Sequence, residues 1–318
     1  MTDATTYDSE YSWHDVTPIP QHDGTNPALS LSVIAYQPAY VTAMGYLRAV
    51  MRANELSDRA LKLTEDVILM NPAHYTIWSY RARILLKLKT RQELEQELVW
   101  IEQVAGKFPK NYQIWNHREV IVDKFNDGDR ELKFINQVLL KDSKNYHAWS
   151  YRQWVVRRFN LWAGEIEFTT DLILHDVRNN SAWNHRFFAL FGNNNNASTD
   201  VDDEIEFGKS QILIAENNQS SWNYLLGVLN RTGRSIITEL EQFCLTNFIN
   251  FKQDDDDDDE QDRIISTVTS APALEVLGDI YASRNELQQA KKAWELLANK
   301  YDTIRDNYWN FKINQASA

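Results

Sequence analysis

Lys110-Asn-Tyr-Gln-Ile-Trp-Asn-His-Arg118 returns almost unchanged as Lys144-Asn-Tyr-His-Ala-Trp-Ser-Tyr-Arg152. More worn copies are Tyr75-Thr-Ile-Trp-Ser-Tyr-Arg81, Arg178-Asn-Asn-Ser-Ala-Trp-Asn-His-Arg186 and Asn217-Asn-Gln-Ser-Ser-Trp-Asn-Tyr-Leu225. Asn307-Tyr-Trp-Asn-Phe-Lys312 is a candidate sixth. The tryptophans at 78, 115, 149, 183 and 222 follow one another at steps of 37, 34, 34 and 39 residues. A fixed period of roughly 20–50 residues marks a stacked repeat array, in which each unit buries its apolar face only against its neighbours.

Within each period the apolar residues fall at helical spacing. Tyr40, Met44, Leu47, Val50 and Met51 form one stripe, and Ala60, Leu63, Thr64, Val67 and Ile68 form the next, ending at Asn71-Pro72. One helix opens at each Trp motif and one returns, with return helices expected over 161–174 and 204–215 and closing helices over 273–283, 287–299 and 301–313. The expected fold is all-α: an α-α superhelix, or solenoid, of antiparallel helical hairpins with a crescent outline. The expected organisation is an N-terminal extended segment over 1–35, then one helical-repeat domain over 36–318. The repeat has the length of a tetratricopeptide repeat but lacks that family's Gly and small-residue pattern. Ten Gly and seven Pro are too few for a turn-rich β protein.

The formal charge is −12, of which Asp254–Glu260 carries seven negatives. That run reads as a solvated insertion, without the Gly turn and spacing of a calcium loop. An acidic chain without a basic stripe argues against nucleic-acid binding. A single cysteine, Cys244, excludes an internal disulfide framework and a multi-Cys zinc site. No run of 18 apolar residues is present, so no membrane span is expected. No secretory signal is visible, and the expected location is the cytoplasm.

The repeating tryptophan is core by this reading, and the Arg three residues later (81, 118, 152, 186) lies one turn on, placed to tie neighbouring repeats through a carbonyl or carboxylate. His117 and His185 share a slot with Tyr80, Tyr151 and Tyr224, which makes it a packing or hydrogen-bonding slot rather than a metal ligand. Five residues before the Trp stand Lys110, Lys144 and Arg178. Cations at the starts of parallel helices either form a site for a multiply anionic ligand, phosphate above all, or are ordinary solvated loop charges; spacing alone leaves both open. Tyr75, Tyr112 and Tyr146, three before the Trp, add phenols and ring faces, and Gln113 and His147 add polar groups beside them.

These motifs, with Tyr11-Ser-Trp-His-Asp-Val-Thr-Pro-Ile-Pro20 ahead of them, resemble the α subunit of the heterodimeric protein prenyltransferases from about Tyr75 to Asn314. The wording is fungal-like and nearest to the branch shared by farnesyltransferase and geranylgeranyltransferase type I. The resemblance implies a β subunit that completes the heterodimer and holds a catalytic Zn²⁺. It implies transfer of farnesyl or geranylgeranyl from its diphosphate to the Cys thiol of a C-terminal CaaX motif, in substrates such as Ras/Rho-type GTPases. It assigns Lys110 to the departing diphosphate and Gln113 to the peptide carboxylate. Tyr112, Asn145, Tyr146 and His147, and more weakly Tyr75, line the site. It places no metal in this chain and leaves open whether Mg²⁺ assists at the diphosphate. The alternatives are the α subunit of the Rab-type geranylgeranyltransferase and a non-enzymatic helical-repeat scaffold that binds peptides.

Overall fold

A computed structural model describes residues 7, 11–21, 34–193, 200–251 and 265–317. The Asp254–Glu260 run and most of the Asn-rich loop at 193–196 lie outside the described residues. The chain divides into two compact units, Met1–Leu161 and Trp162–Ala318.

The first unit consists of α1 (Pro38–Arg52), α2 (Asp58–Met70), α3 (Tyr75–Leu88), α4 (Arg91–Lys107), α5 (Tyr112–Phe125), α6 (Asp129–Lys141) and α7 (Tyr146–Phe159). Local chemistry sets their ends. Ser57 caps α2 by accepting from the Ala60 N–H, and Thr90 with Glu93 closes a reciprocal capping box on α4. Asn126 and Asn160 stop α5 and α7 in the left-handed conformation, at φ 52° and 57°, which asparagine tolerates better than most residues.

The second unit comprises α8 (Glu165–His175), α9 (Asn180–Phe191), α10 (Val201–Ile214), α11 (Gln219–Thr232) and α12 (Ile236–Phe248). A short antiparallel hairpin follows, β1 (Ile249–Phe251) with β2 (Ile265–Val268), and then α13 (Ala271–Ser283), α14 (Leu287–Leu296) and α15 (Asp306–Gln315). The repeat periodicity gave no signal for the hairpin, because its strands are three and four residues long.

The motif tryptophans are core as expected, at 4, 5, 6, 1 and 1% exposure for Trp78, Trp115, Trp149, Trp183 and Trp222. Four of the five are also anchored in a second way. The indole N–H of Trp78, Trp149, Trp183 and Trp222 donates to the carbonyl six residues earlier, Pro72, Ser143, Val177 and Glu216, at 2.8–2.9 Å. The candidate sixth copy differs: Trp309 is fully buried, but its N–H donates to the carboxylate of Asp302, seven residues back. Instead α13, which has no Trp, begins where the next motif helix would, with the Ser270 hydroxyl donating to the Glu216 carbonyl at 2.6 Å.

The motif arginines join the hairpins. Arg81 grips Glu97 of α4 through Nε and Nη2 (2.7 and 2.6 Å), donates to the Leu61 carbonyl and lies over the Trp100 ring. Arg118 does the same with Glu131, the Leu98 carbonyl and Phe134. Arg186 repeats it in the second unit with Glu204, the Ile166 carbonyl and Phe207. The slot shared by His and Tyr completes the chain. His117 bonds Glu97 at 2.8 Å, Tyr151 donates to Glu131 at 2.8 Å, and His185 bonds Glu165 at 2.6 Å. A buried ladder of Arg, Glu and His or Tyr thus runs through each unit. Fully bonded buried charges are tolerated where unpaired ones are not.

The ladder shifts its own titrations. Burial pulls the Glu97 carboxyl upward, but the Arg81 charge and the His117 bond outweigh it and hold the group at about 2. Burial pushes His117 below its ordinary value. Because ionised Glu97 can only accept, the His117 proton sits on Nε2 and the ring is neutral. Burial and the adjacent Glu131 raise the Tyr151 phenol well above its ordinary value.

The N-terminal segment lies on its own chain. Residues 11–21 form no helix or strand. Trp13, 4% exposed, packs edge-on against Tyr46 of α1 and under the Arg59 guanidinium of α2, and Arg59 pairs with Asp15 at 2.8 Å. The Ile19 N–H donates to the Gly45 carbonyl, and a Cβ at Gly45 would stand 3.1 Å from Pro18.

Candidate functional site

The site residues read from the sequence all fall in the first unit, where α3, α5 and α7 begin. Two hydrogen bonds bring these helix starts together. The Gln113 side-chain amide donates to the Ala73 carbonyl at 2.7 Å, across forty residues of chain. The Asn145 amide donates to the Pro109 carbonyl at 3.3 Å, across thirty-six. Tyr75, Lys110, Tyr112, Gln113, Asn145, Tyr146 and His147 therefore sit on three linked helix starts.

Their exposure divides them. Tyr75, Tyr112 and Tyr146 are the first residues of their helices and point outward, at 70, 57 and 75% exposure. Lys110 is exposed and has no ion pair or hydrogen bond among the described residues. His147 is half-buried, with its ring 5.5 Å from that of Tyr146. Gln113 and Asn145 are buried, at 7 and 3%.

Helix ends supply the local field. Asn111 caps α5 by accepting from the Gln113 and Ile114 N–H groups (3.0 and 3.3 Å), and Asn145 caps α7 by accepting from the Ala148 N–H at 3.1 Å. The positive ends of both helices thus lie beside Lys110, in the arrangement that favours a bound anion. Of the other cations in the expected row, Lys144 lies in the loop before α7, and Arg178 belongs to the second unit, where its backbone N–H donates to Asp176.

Among the described residues no group of three or more His, Cys, Asp or Glu side chains could hold a metal ion. His117 is held in the ladder by Glu97, and the thiol of Cys244 is buried. No helix among them is long and apolar enough to cross a membrane.

Sequence reasoning missed the carboxylates of the ladder. The signal was present: Glu97, Glu131, Glu165 and Glu204 recur at steps of 34, 34 and 39, in phase with the tryptophans. It also missed that Gln113 and Asn145 connect adjacent helix starts.

The protein prenyltransferase alpha subunit repeat matches residues 57–88, 94–125, 129–159 and 162–192, four successive hairpins. The fifth motif, at Trp222, lies beyond the matched residues. The protein farnesyltransferase/geranylgeranyltransferase type-1 subunit alpha of Candida albicans is 40% identical over 321 residues, spanning 98% of this chain and 99% of the relative. The subunit of the same name from Schizosaccharomyces pombe is 55% identical over 225 residues, 71% of this chain and 75% of the relative. Against these, the geranylgeranyl transferase type-2 subunit alpha of Candida albicans matches at 39% over 83 residues, only 23% of this chain. Among solved structures, Candida albicans protein geranylgeranyltransferase-I complexed with GGPP superposes with a TM-score of 0.85 at 38% identity, covering 97% of this chain and all of that one. The chain belongs to the protein prenyltransferase α-subunit family.

Proposed function

We propose that this chain is the α subunit of a cytoplasmic CaaX protein prenyltransferase of the farnesyltransferase/geranylgeranyltransferase type I branch, and that its part in the reaction is to receive the diphosphate leaving group at Lys110. The observation that carries this reading is the state of Lys110. It is an exposed cation without a partner among the described residues, beside the capped starts of α5 and α7. In the reaction a C–S bond forms between the substrate cysteine and C1 of the isoprenoid, the C1–O bond breaks, and the thiol proton is lost. Negative charge grows on the bridging oxygen as that bond breaks, so a cation held there favours the transition state over the ground state.

Gln113 carries two amide N–H groups. One is held by the Ala73 carbonyl, and the other is assigned to the terminal carboxylate of the CaaX peptide. Tyr112, Tyr146 and Tyr75 offer phenols and ring faces along the rim, with His147 at its inner side. The family resemblance assigns the Zn²⁺ to a β-subunit partner, where it would activate the substrate thiol. Mg²⁺ at the diphosphate and CaaX substrates such as Ras/Rho-type GTPases belong to the same reading. The long matches to type-1 subunits, against short matches to type-2 subunits, favour this reading over the Rab-type enzyme.

The test is Lys110→Ala in the complex with a β subunit. The single-turnover rate should fall about 10²-fold, the effect of removing one preorganised charge stabiliser, with heterodimer assembly and prenyl diphosphate binding intact. An unchanged chemical step would overturn the assignment. Stable, monomeric behaviour without any metal-bearing partner on co-expression would favour the scaffold reading.

A further inference from the structure

Asn145 is 3% exposed, and its side chain is engaged at both ends. Its Oδ1 accepts from the Ala148 N–H and caps α7, and its Nδ2 donates to the carbonyl of Pro109, the residue directly before Lys110. The second unit repeats the device. Asn218 caps α11 through the Ser220 N–H and donates to the carbonyl of Val177, the residue before Arg178, at 2.7 Å. One difference separates the two. The Val177 carbonyl also accepts the indole N–H of its own motif, Trp183, at 2.8 Å. The Pro109 carbonyl has no such second bond, and the buried Trp115 N–H is without a partner.

The Lys110 loop is thus released from its own tryptophan and held by a side chain of the following repeat. We propose that Asn145 is a positioning residue for Lys110: the bond from its amide to the Pro109 carbonyl sets the peptide from which the Lys110 side chain leaves. This rests on the leaving-group role assigned to Lys110. It gives Asn145 a task distinct from touching substrate.

Asn145→Asp isolates the bond, because aspartate keeps the helix cap and loses the donor. In the heterodimer it should slow the single-turnover rate about tenfold, well inside the roughly 10²-fold that a misplacement of about 1 Å can cost. On a Lys110→Ala background the same change should cost less than about twofold, since residues acting as one unit are not additive. Asn218→Asp, the same change at the equivalent position in the other unit, should leave the rate unchanged. Amide exchange read by mass spectrometry should quicken in the peptide covering 108–112 and stay the same over 146–149. A tenfold loss on both backgrounds would overturn the proposal in favour of direct substrate contact, and unaltered exchange at 108–112 would show that the bond holds nothing. If exchange quickens while neither Lys110→Ala nor Asn145→Asp alters the rate, the tether stands and the leaving-group reading fails.

Discussion

The interior ladder and the rim at the helix starts are two halves of the same nine-residue motif, and they obey opposite rules. From the Trp onward, motif arginines and the His or Tyr beside them are buried and bonded to glutamates: Arg118 to Glu131, His117 to Glu97, Tyr151 to Glu131. Before the Trp, Lys110 and the three tyrosines face outward, and Lys110 has no partner among the described residues. Repetition therefore has two meanings here. Inside, it repeats because within each unit motif arginines meet glutamates of return helices through the same contact. On the rim the repeat decays, from Tyr75, Tyr112 and Tyr146 to Asn180 and Gln219. A position that must contact something outside the array is under no demand to be periodic.

Breaking the interior half should have the largest effect. Glu131→Ala strips the carboxylate from buried Arg118 and the acceptor from Tyr151, and should lower unfolding stability by about 3–5 kcal/mol, the usual cost of orphaning a buried charge. Urea denaturation of the purified chain measures it, and a loss under about 1 kcal/mol would mean that the ladder is ornamental.

Acid should act on the same half. His117 is neutral in the fold with its pKa lowered by burial, whereas the unfolded chain titrates at the usual 6.5. Its contribution is complete above that pH and is lost as pH falls below it, because only the unfolded chain takes up the proton. Glu97, held at about 2 against an ordinary 4.5, adds a second loss as pH falls from 4.5 toward 2. The melting temperature should decline in both windows, and His117→Gln should flatten the upper one. A melting curve unchanged between pH 7 and pH 5.5 would contradict the neutral, buried assignment.

A smaller effect separates two copies of one tryptophan. Trp183→Phe deletes an N–H bonded to Val177, whereas Trp115→Phe deletes one that is buried and unpartnered. The first should cost about 1 kcal/mol more than the second, the net worth of one hydrogen bond. Equal losses would mean that the Trp115 N–H is satisfied in solution.

On the rim, Tyr75→Phe should change stability by less than about 0.5 kcal/mol, as surface substitutions do. Any effect should appear instead in the kinetics of the complex. A large stability loss would move Tyr75 from the rim to the interior.

Much of this was legible in advance. The Trp and Arg offsets predicted the stacked hairpins and the role of the arginines, because in an array each residue meets its counterpart at a nearly constant distance along the chain. The shared His/Tyr slot reads as a packing or hydrogen-bonding slot, and His117, Tyr151 and His185 each bond a glutamate there. The glutamates were equally periodic and went unread, since an acidic residue on a return helix looks like an ordinary solvated face until an arginine is found opposite it. Trp13 could not be placed, because no period links it to Tyr46 and Arg59. Ser270 at the start of α13 makes the contact that Asn145 and Asn218 make at theirs, capping its helix and donating to the preceding loop carbonyl, and a lone hydroxyl carries no recognisable motif.

By itself the sequence determined the helical hairpins, their core and the cluster of Lys110, Tyr112, Gln113, Tyr146 and His147 at consecutive helix starts, all of which are properties of spacing along one dimension. Only the tertiary structure decided that Asn145 grips the Pro109 carbonyl while Trp115 does not, that Gln113 spends one N–H on Ala73, and that the Lys110 ammonium has no partner among the described residues. Those choices depend on how one loop approaches the next, and the loops before Trp115 and Trp149, both carrying Lys-Asn-Tyr, resolve them differently.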